Sequence, residues 1–243
     1  VGPLAYILAV QEAGAEAIAI LVSADGEQSR YAADTETIYF SAIITVKGSG
    51  IRTLDDLRGR DFNYVDPAST SGHLAPRALF LARGIDPDRD LNTFFAGSHP
   101  TSVLTVKEGR SDAGATTLGY LYRMHDQGLI DFCGFREGQL SSEAVIRQNY
   151  DECPEGHIAI IGLTDPIPAT PFSVRSSLPQ SLKDRVREAL LAIKDDEQNP
   201  LSLVRYYVDP TEELGLNHLD EFYNPLREMA RLLALELKAL IDQ

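Results

Sequence analysis

The stretch DFNYVDPASTSGHLAPRALFLARG, Asp61 to Gly84, decides the fold. DFNYV is short and apolar, as a strand is. HLAPRALFLARG has helical spacing and ends on Gly84, where a C-terminal glycine is favoured. Pro76 lies within the first turn, so the helix is expected to begin near Ser71 to His73. Between strand and helix stand three consecutive hydroxyl residues, Ser69, Thr70 and Ser71, followed by Gly72. A strand that runs through a short turn into a helix is the unit of an α/β fold.

The same unit repeats outward. FFAGSHPTSVLTVKEG gives a strand, Ser98-His99, and a helix started by Pro100. SDAGATT gives a strand ending in Thr116-Thr117, and LGYLYRMHDQG a helix. Further strands are read at AIAILVS, YFSAIITVKG, HIAIIGLT and PFSVRSS. Helices are read at GPLAYILAVQEAG, TLDDLRG, LPQSLKDRVREALLAIKDD, NPLSLVRYY and NPLREMARLLALELKALI. Strands separated by helices predict parallel pairing. Val186, Leu190, Leu191 and Ile193 mark one helix face, and Leu226, Met229, Leu232, Leu233 and Leu237 another, both expected to pack in a core.

A chain of 243 residues with net charge -14 has ample length for a core. The charge excludes nucleic acid as a partner, because nothing here neutralises a run of phosphates. It also disfavours anionic membrane surfaces. No stretch approaches the roughly 20 apolar residues of a membrane span, and no signal peptide is visible. Cys133 and Cys153 have no second Cys or His at ligand spacing, so no metal site is expected. In an oxidising compartment they would close a loop. In the cytosol they would be two free thiols, and the sequence leaves both readings open.

The hydroxyl run is the chemistry in this chain. The first N–H groups of a helix have no internal partners, and the helix dipole adds partial positive charge there. Ser and Thr at that position also serve as plain helix caps. Three in a row exceed what a cap needs, and they suit a tetrahedral oxyanion. Oriented dipoles hold such a ligand without net positive charge. His99 stands at a second strand-to-helix junction, where α/β folds place ligand groups. There is no G-x-S-x-G elbow, H-E-x-x-H, Walker A or G-x-G-x-x-G motif, so no catalytic residues and no cofactor are expected.

VDPASTSGHLAPRALFLARGIDP, FFAGSHPTSVLTVKEGRSDAGAT and DPIPATPFSVR together resemble the phosphonate, phosphite and phosphate substrate-binding proteins of ABC transporters. The resemblance runs in order from Val1 to Arg175, apart from the segment between the cysteines. It implies a two-lobed periplasmic-binding-protein type 2 fold. Residues 1–44 and 169–243 would form lobe one, and residues 45–168 lobe two. Two crossing strands, near YFSAIIT and TPFSVR, would form the hinge. The resemblance also places Ser69, Thr70, Ser71 and His99 on a small phosphorus oxyanion, with Tyr39 packed on it. Thr116 ends the third strand beside them. Leu4 and Ala5, in the turn Gly2-Pro3-Leu4-Ala5, would offer backbone N–H groups, and Thr170 would face the cleft.

Relatives that take aminoalkyl phosphonates carry carboxylates at the positions of Gly119 and Thr170. This chain has neither, and a buried ammonium without a partner is costly. The expected ligand is therefore methylphosphonate, phosphite or phosphate, unless Asp165 supplies the missing charge. The expected partner is an ABC transporter permease. The expected place is the periplasm, or a lipid anchor outside the cytoplasmic membrane. Relatives also carry residues ahead of the G-P-L-A-Y turn, so this chain is expected to lack part of lobe one. The alternative reading is the ligand-sensing domain of a signalling protein with the same fold.

Overall fold

Strict alternation along SAIITV sets the sheet on which everything else rests. Ala42 and Ile44 point into one buried cluster, and Ile43 into the other. A computed structural model describes residues 2–23, 37–135, 142–196, 198–199 and 205–233. In chain order its first elements are α1 (Pro3–Ala13), β1 (Ala15–Ser23), β2 (Ile38–Tyr39), β3 (Ser41–Val46) and β4 (Asp61–Tyr64). Then come α2 (Ala75–Ala82), α3 (Pro87–Asp90), β5 (Asn92–Phe95), α4 (His99–Lys107), β6 (Ala113–Thr117) and α5 (Leu118–Asp126). After β7 (Phe132–Cys133) follow α6 (Glu143–Glu152), β8 (Ile158–Leu163), β9 (Ile167–Pro168) and β10 (Pro171–Arg175). The last are α7 (Gln180–Ala192), β11 (Arg205–Val208) and α8 (Asn224–Leu232).

The chain divides into two compact units. Among the described residues, the first holds residues 2–23, 37–38 and those from 168 to 233, and the second residues 39–135 and 142–167. The chain passes between them at β2 and β9, which pair as a two-stranded sheet. Residues 39–44 therefore group with the second unit, because β3 pairs along its length with β6 and β8. TPFSVR is not at the crossing. Its β10 is a strand of the first unit, antiparallel to β1.

The second unit is built on a six-stranded sheet of order β5-β4-β6-β3-β8-β7. The expected parallel pairing holds for β4 with β5, β4 with β6, and β7 with β8. It fails at β3, which runs antiparallel to both neighbours. In the first unit β1 is antiparallel to β10 and β11. Both faces of the larger sheet are covered. Phe62, Tyr64, Phe80 and Ile161 pack on one side, and Val103, Leu121, Met124 and Ile160 on the other.

Several helical expectations change. RYYV in NPLSLVRYY is strand β11, because Tyr206, Tyr207 and Val208 pair with β1. EAVIRQNYDE, in the segment between the cysteines, is helix α6, capped by Ser142 and burying Ile146 and Tyr150. The apolar face of α7 is half-exposed, and the one buried residue of α7 is Lys183, ion-paired with Glu16. On α8, Leu226 and Ala230 are buried as core residues, whereas Leu237 lies outside the described residues. Cys133 and Cys153 form a disulfide that ties β7 to the end of α6. No helix among the described residues is long and apolar enough to cross a membrane.

Candidate oxyanion site

Three helices start at the carboxyl ends of adjacent strands in the second unit. β4 leads to the hydroxyl turn and α2, β5 to α4, and β6 to α5. Because β4, β5 and β6 are parallel, these starts share one sheet edge. The antiparallel register brings Ser41 opposite Thr117, so the beginning of β3 joins the same edge. Crevices beyond the carboxyl ends of parallel strands are where such sheets bind ligands.

The hydroxyl turn is more tightly wound than a plain helix start. Residues Thr70–Leu74 form a π-turn, with Ala75 N–H reaching the Thr70 carbonyl. Leu74 N–H reaches the Ser69 carbonyl at 3.1 Å. Asp66 Oδ1 accepts from Ala68 N–H at 2.9 Å, and His73 Nδ1–H donates to the Pro67 carbonyl at 2.9 Å. The ring of His73 packs edge-on against Tyr64 and Phe95. Burial lowers the His73 pKa, which keeps the ring neutral in this packed setting. Ser69 acts as the cap, its Oγ accepting from Gly72 N–H at 2.9 Å. The N–H groups of Ser71 and His73 make no hydrogen bond among the described residues.

Thr70 and Ser71 are buried, and their hydroxyls meet the phenol of Tyr39. Burial pushes the Tyr39 pKa up to about 12, and hydrogen bonds from Ser71 and Thr70 oppose the rise. Tyr39 is thus a neutral phenol that can both donate and accept.

His99 is fixed by the end of β6. Its Nδ1 accepts from Thr117 N–H at 3.3 Å and lies 3.2 Å from Thr116 Oγ1. A backbone N–H can only donate, so Nδ1 is an acceptor and the ring proton sits on Nε2. Thr116, fully buried, then donates to Nδ1 as well. Burial lowers the His99 pKa to about 4. The ring is therefore neutral across the pH 5–8 range in which histidines usually titrate. Tyr120 stacks on it, with ring centroids 5.0 Å apart and planes 14° apart. His99 Nε2 makes no hydrogen bond among the described residues. It is a fixed neutral donor.

Tyr39, Ser69, Thr70, Ser71, His99 and Thr116 thus gather on one edge of the second unit. Leu4, Ala5 and Thr170 belong to the first unit. Leu4 is buried and, with Ala5, lies in the first turn of α1. The Thr170 carbonyl accepts from Leu21 N–H at 2.9 Å. Asp165 is exposed and lines a different cavity of about 300 Å³ with Arg52, Arg83 and Arg147, which includes none of the hydroxyl residues. Among the described residues no cluster suits a metal ion. Ser41 is the site-edge residue that sequence reasoning missed. It is fully buried, and its hydroxyl lies 2.5 Å from the Ser71 carbonyl. Nothing in the sequence around Ser41 signals that contact.

The fold defined by these units is that of the type 2 periplasmic binding proteins. A PhnD1 from Prochlorococcus marinus, solved in complex with methylphosphonate, superposes with a TM-score of 0.65. It is 13% identical, with 96% of this chain and 76% of that chain covered. A binding protein component of an ABC phosphonate transporter from Pseudomonas aeruginosa has a TM-score of 0.59 at 21% identity, covering 100% of this chain and 75% of that one.

Residues 1–214 match the family described as the periplasmic substrate-binding protein of phosphonate ABC transporters, and the chain belongs to that family. Its members are binding components of transporters rather than enzymes. A curated relative, the phosphate-import protein PhnD of Mycolicibacterium smegmatis, is 28% identical over 149 residues. That match covers 58% of this chain and 43% of the relative, so the chain spans less than half the length of that protein.

Proposed function

We propose that the protein is the solute-binding component of an ABC importer, acting outside the cytoplasmic membrane and delivering a small phosphorus oxyanion to a permease. The observation that carries this reading is the convergence of the Ser69-Thr70-Ser71 turn with the neutral Nε2–H donor of His99 on one sheet edge. An incoming oxyanion takes over the hydroxyl hydrogens that Tyr39 now accepts. The Ser71 N–H and His99 Nε2–H, which have no hydrogen-bond partner among the described residues, supply further donors. The Thr117 N–H holds His99 in its donor tautomer. Every donor is neutral, so the site works in a chain of net charge -14. The family match supports transport over the sensor-domain alternative.

The ligand is methylphosphonate, phosphite or phosphate, without a cationic tail. The support is the absence of an acid at Gly119 and Thr170, and the position of Asp165 in a different cavity. A thermal-shift panel tests both parts, using methylphosphonate, phosphite, phosphate, 2-aminoethylphosphonate and sulfate. A ligand at about 100 times its Kd adds roughly 2.7 kcal/mol of stability. The expected result is a shift with at least one of the first three and none with 2-aminoethylphosphonate. A shift with 2-aminoethylphosphonate alone contradicts the assignment.

A further inference from the structure

Pro76 removes a donor that the hydroxyl turn needs. In the π-turn, Leu74 N–H bonds to the Ser69 carbonyl and Ala75 N–H to the Thr70 carbonyl. The next rung would run from residue 76 to the Ser71 carbonyl, and proline has no N–H. Ser71 is buried, so its carbonyl must find a partner elsewhere. Ser41 provides it, donating from Oγ to the Ser71 carbonyl at 2.5 Å. The same hydroxyl lies 3.2 Å from the Thr116 carbonyl.

Ser41 is itself held in place. Its N–H donates to Thr164 Oγ1 at 3.1 Å, and its carbonyl accepts from Thr164 N–H at 3.0 Å. The other end of the Ser71–Gly72 peptide is fixed by Ser69, which accepts from Gly72 N–H at 2.9 Å. One peptide plane is thus clamped at both ends, by Ser41 on its carbonyl and Ser69 on its N–H.

The geometry points to Ser41 as a positioning residue of the oxyanion site. It orients the Ser71–Gly72 peptide, and with it the Ser71 hydroxyl, against the strand end that carries Thr116 and holds His99. Fully buried, Ser41 acts through Ser71 and not on the ligand. This inference rests on the reading of the hydroxyl turn as the anion site.

The test compares wild type, Ser41→Ala, Pro76→Ala and the double variant. Methylphosphonate and phosphate affinities are measured by calorimetry, and amide exchange at Gly72 is measured without ligand. Ser41→Ala is expected to fold, to bind about tenfold more weakly, and to exchange faster at Gly72. Pro76→Ala alone is expected to stay within about twofold of wild type. The double variant is expected to recover most of the affinity, because residue 76 then carries an N–H for the Ser71 carbonyl. A residue that merely filled space would not be rescued by a donor on another element. Wild-type affinity and wild-type exchange in Ser41→Ala overturn the inference, and so does a double variant without rescue. If wild type binds no phosphorus oxyanion while Gly72 exchange responds as expected, the anion-site reading fails and the positioning of the turn by Ser41 stands.

Discussion

Replacing Gly72 by alanine is expected to destabilise the protein by about 1–3 kcal/mol and to weaken oxyanion binding more than tenfold. The glycine is required by space and not by a left-handed backbone. A Cβ at this position would sit 2.3 Å from Val65 Cβ, 2.6 Å from Val65 Cγ2 and 2.8 Å from Ser69 Oγ. Val65 is a stiff, branched side chain at the end of β4, and its N–H bonds to the Gly72 carbonyl at 3.0 Å. Neither can retreat without opening the turn. The turn then loses the Ser69 cap and the arrangement of Thr70 and Ser71 together. Urea unfolding and calorimetry on the same variant separate the two effects. An unchanged midpoint and unchanged affinity would mean that the turn is looser than these distances imply.

The second large effect is expected from the disulfide. Changing Cys133 and Cys153 together to serine should cost about 3 kcal/mol, since the bond closes a loop of sequence separation 20. The affected region is α6, which carries Tyr150 onto the sheet. Other ties remain: Lys47 Nζ donates to the Tyr150 carbonyl at 2.9 Å, and Asn149 Nδ2 to the Gly134 carbonyl at 3.3 Å. These ties are non-covalent and are lost on unfolding, so they do not replace the constraint on the unfolded chain. Guanidinium unfolding under non-reducing conditions measures the difference. A loss below about 1 kcal/mol would show that the unfolded loop is already restricted. The oxyanion edge lies on other strands, so affinity in the folded variant should change little.

The strand-turn-helix reading of Asp61 to Gly84 holds because its signals are local. The apolar run, the hydroxyl cap and the closing glycine all lie within a few residues of the element they specify. The same holds for Ser98-His99-Pro100 and for Thr116-Thr117. What was not legible is long-range. RYYV carries strand-forming residues, but only the exposed partner edge of β1 makes it a strand. The antiparallel course of β3 comes from pairing with β6 and β8, which no pattern within SAIITV encodes. α6 buries only Ile146 and Tyr150, four positions apart, a pair too sparse to stand out in a polar segment.

The site divides in the same way. Ser69, Thr70, Ser71 and His99 are visible as residue types at helix starts. The contact from Ser41 to Ser71 spans 30 positions in the chain, and that from Ser41 to Thr116 spans 75. The donor tautomer of His99 depends on the Thr117 N–H, 18 positions away. Pro76 carried a clue that local reading does not use. A proline two residues past a π-turn leaves a carbonyl of that turn without its next rung, and a donor must come from outside the helix.

In the proposed reading, neutral donors reconcile an acidic chain with an anionic ligand. Burial keeps His99 uncharged and raises the Tyr39 phenol well above neutral pH. Affinity for the proposed ligand would then come from aligned N–H and O–H groups, which need no compensating carboxylates.

The most direct measurement is calorimetric titration of wild type and His99→Ala with methylphosphonate, phosphite and phosphate near pH 7.5. The account predicts one binding event in wild type for at least one of these, and a loss of about tenfold or more in His99→Ala, as removal of a hydrogen bond to a charged group entails. No binding of any phosphorus oxyanion by wild type, or equal binding by His99→Ala, would contradict it.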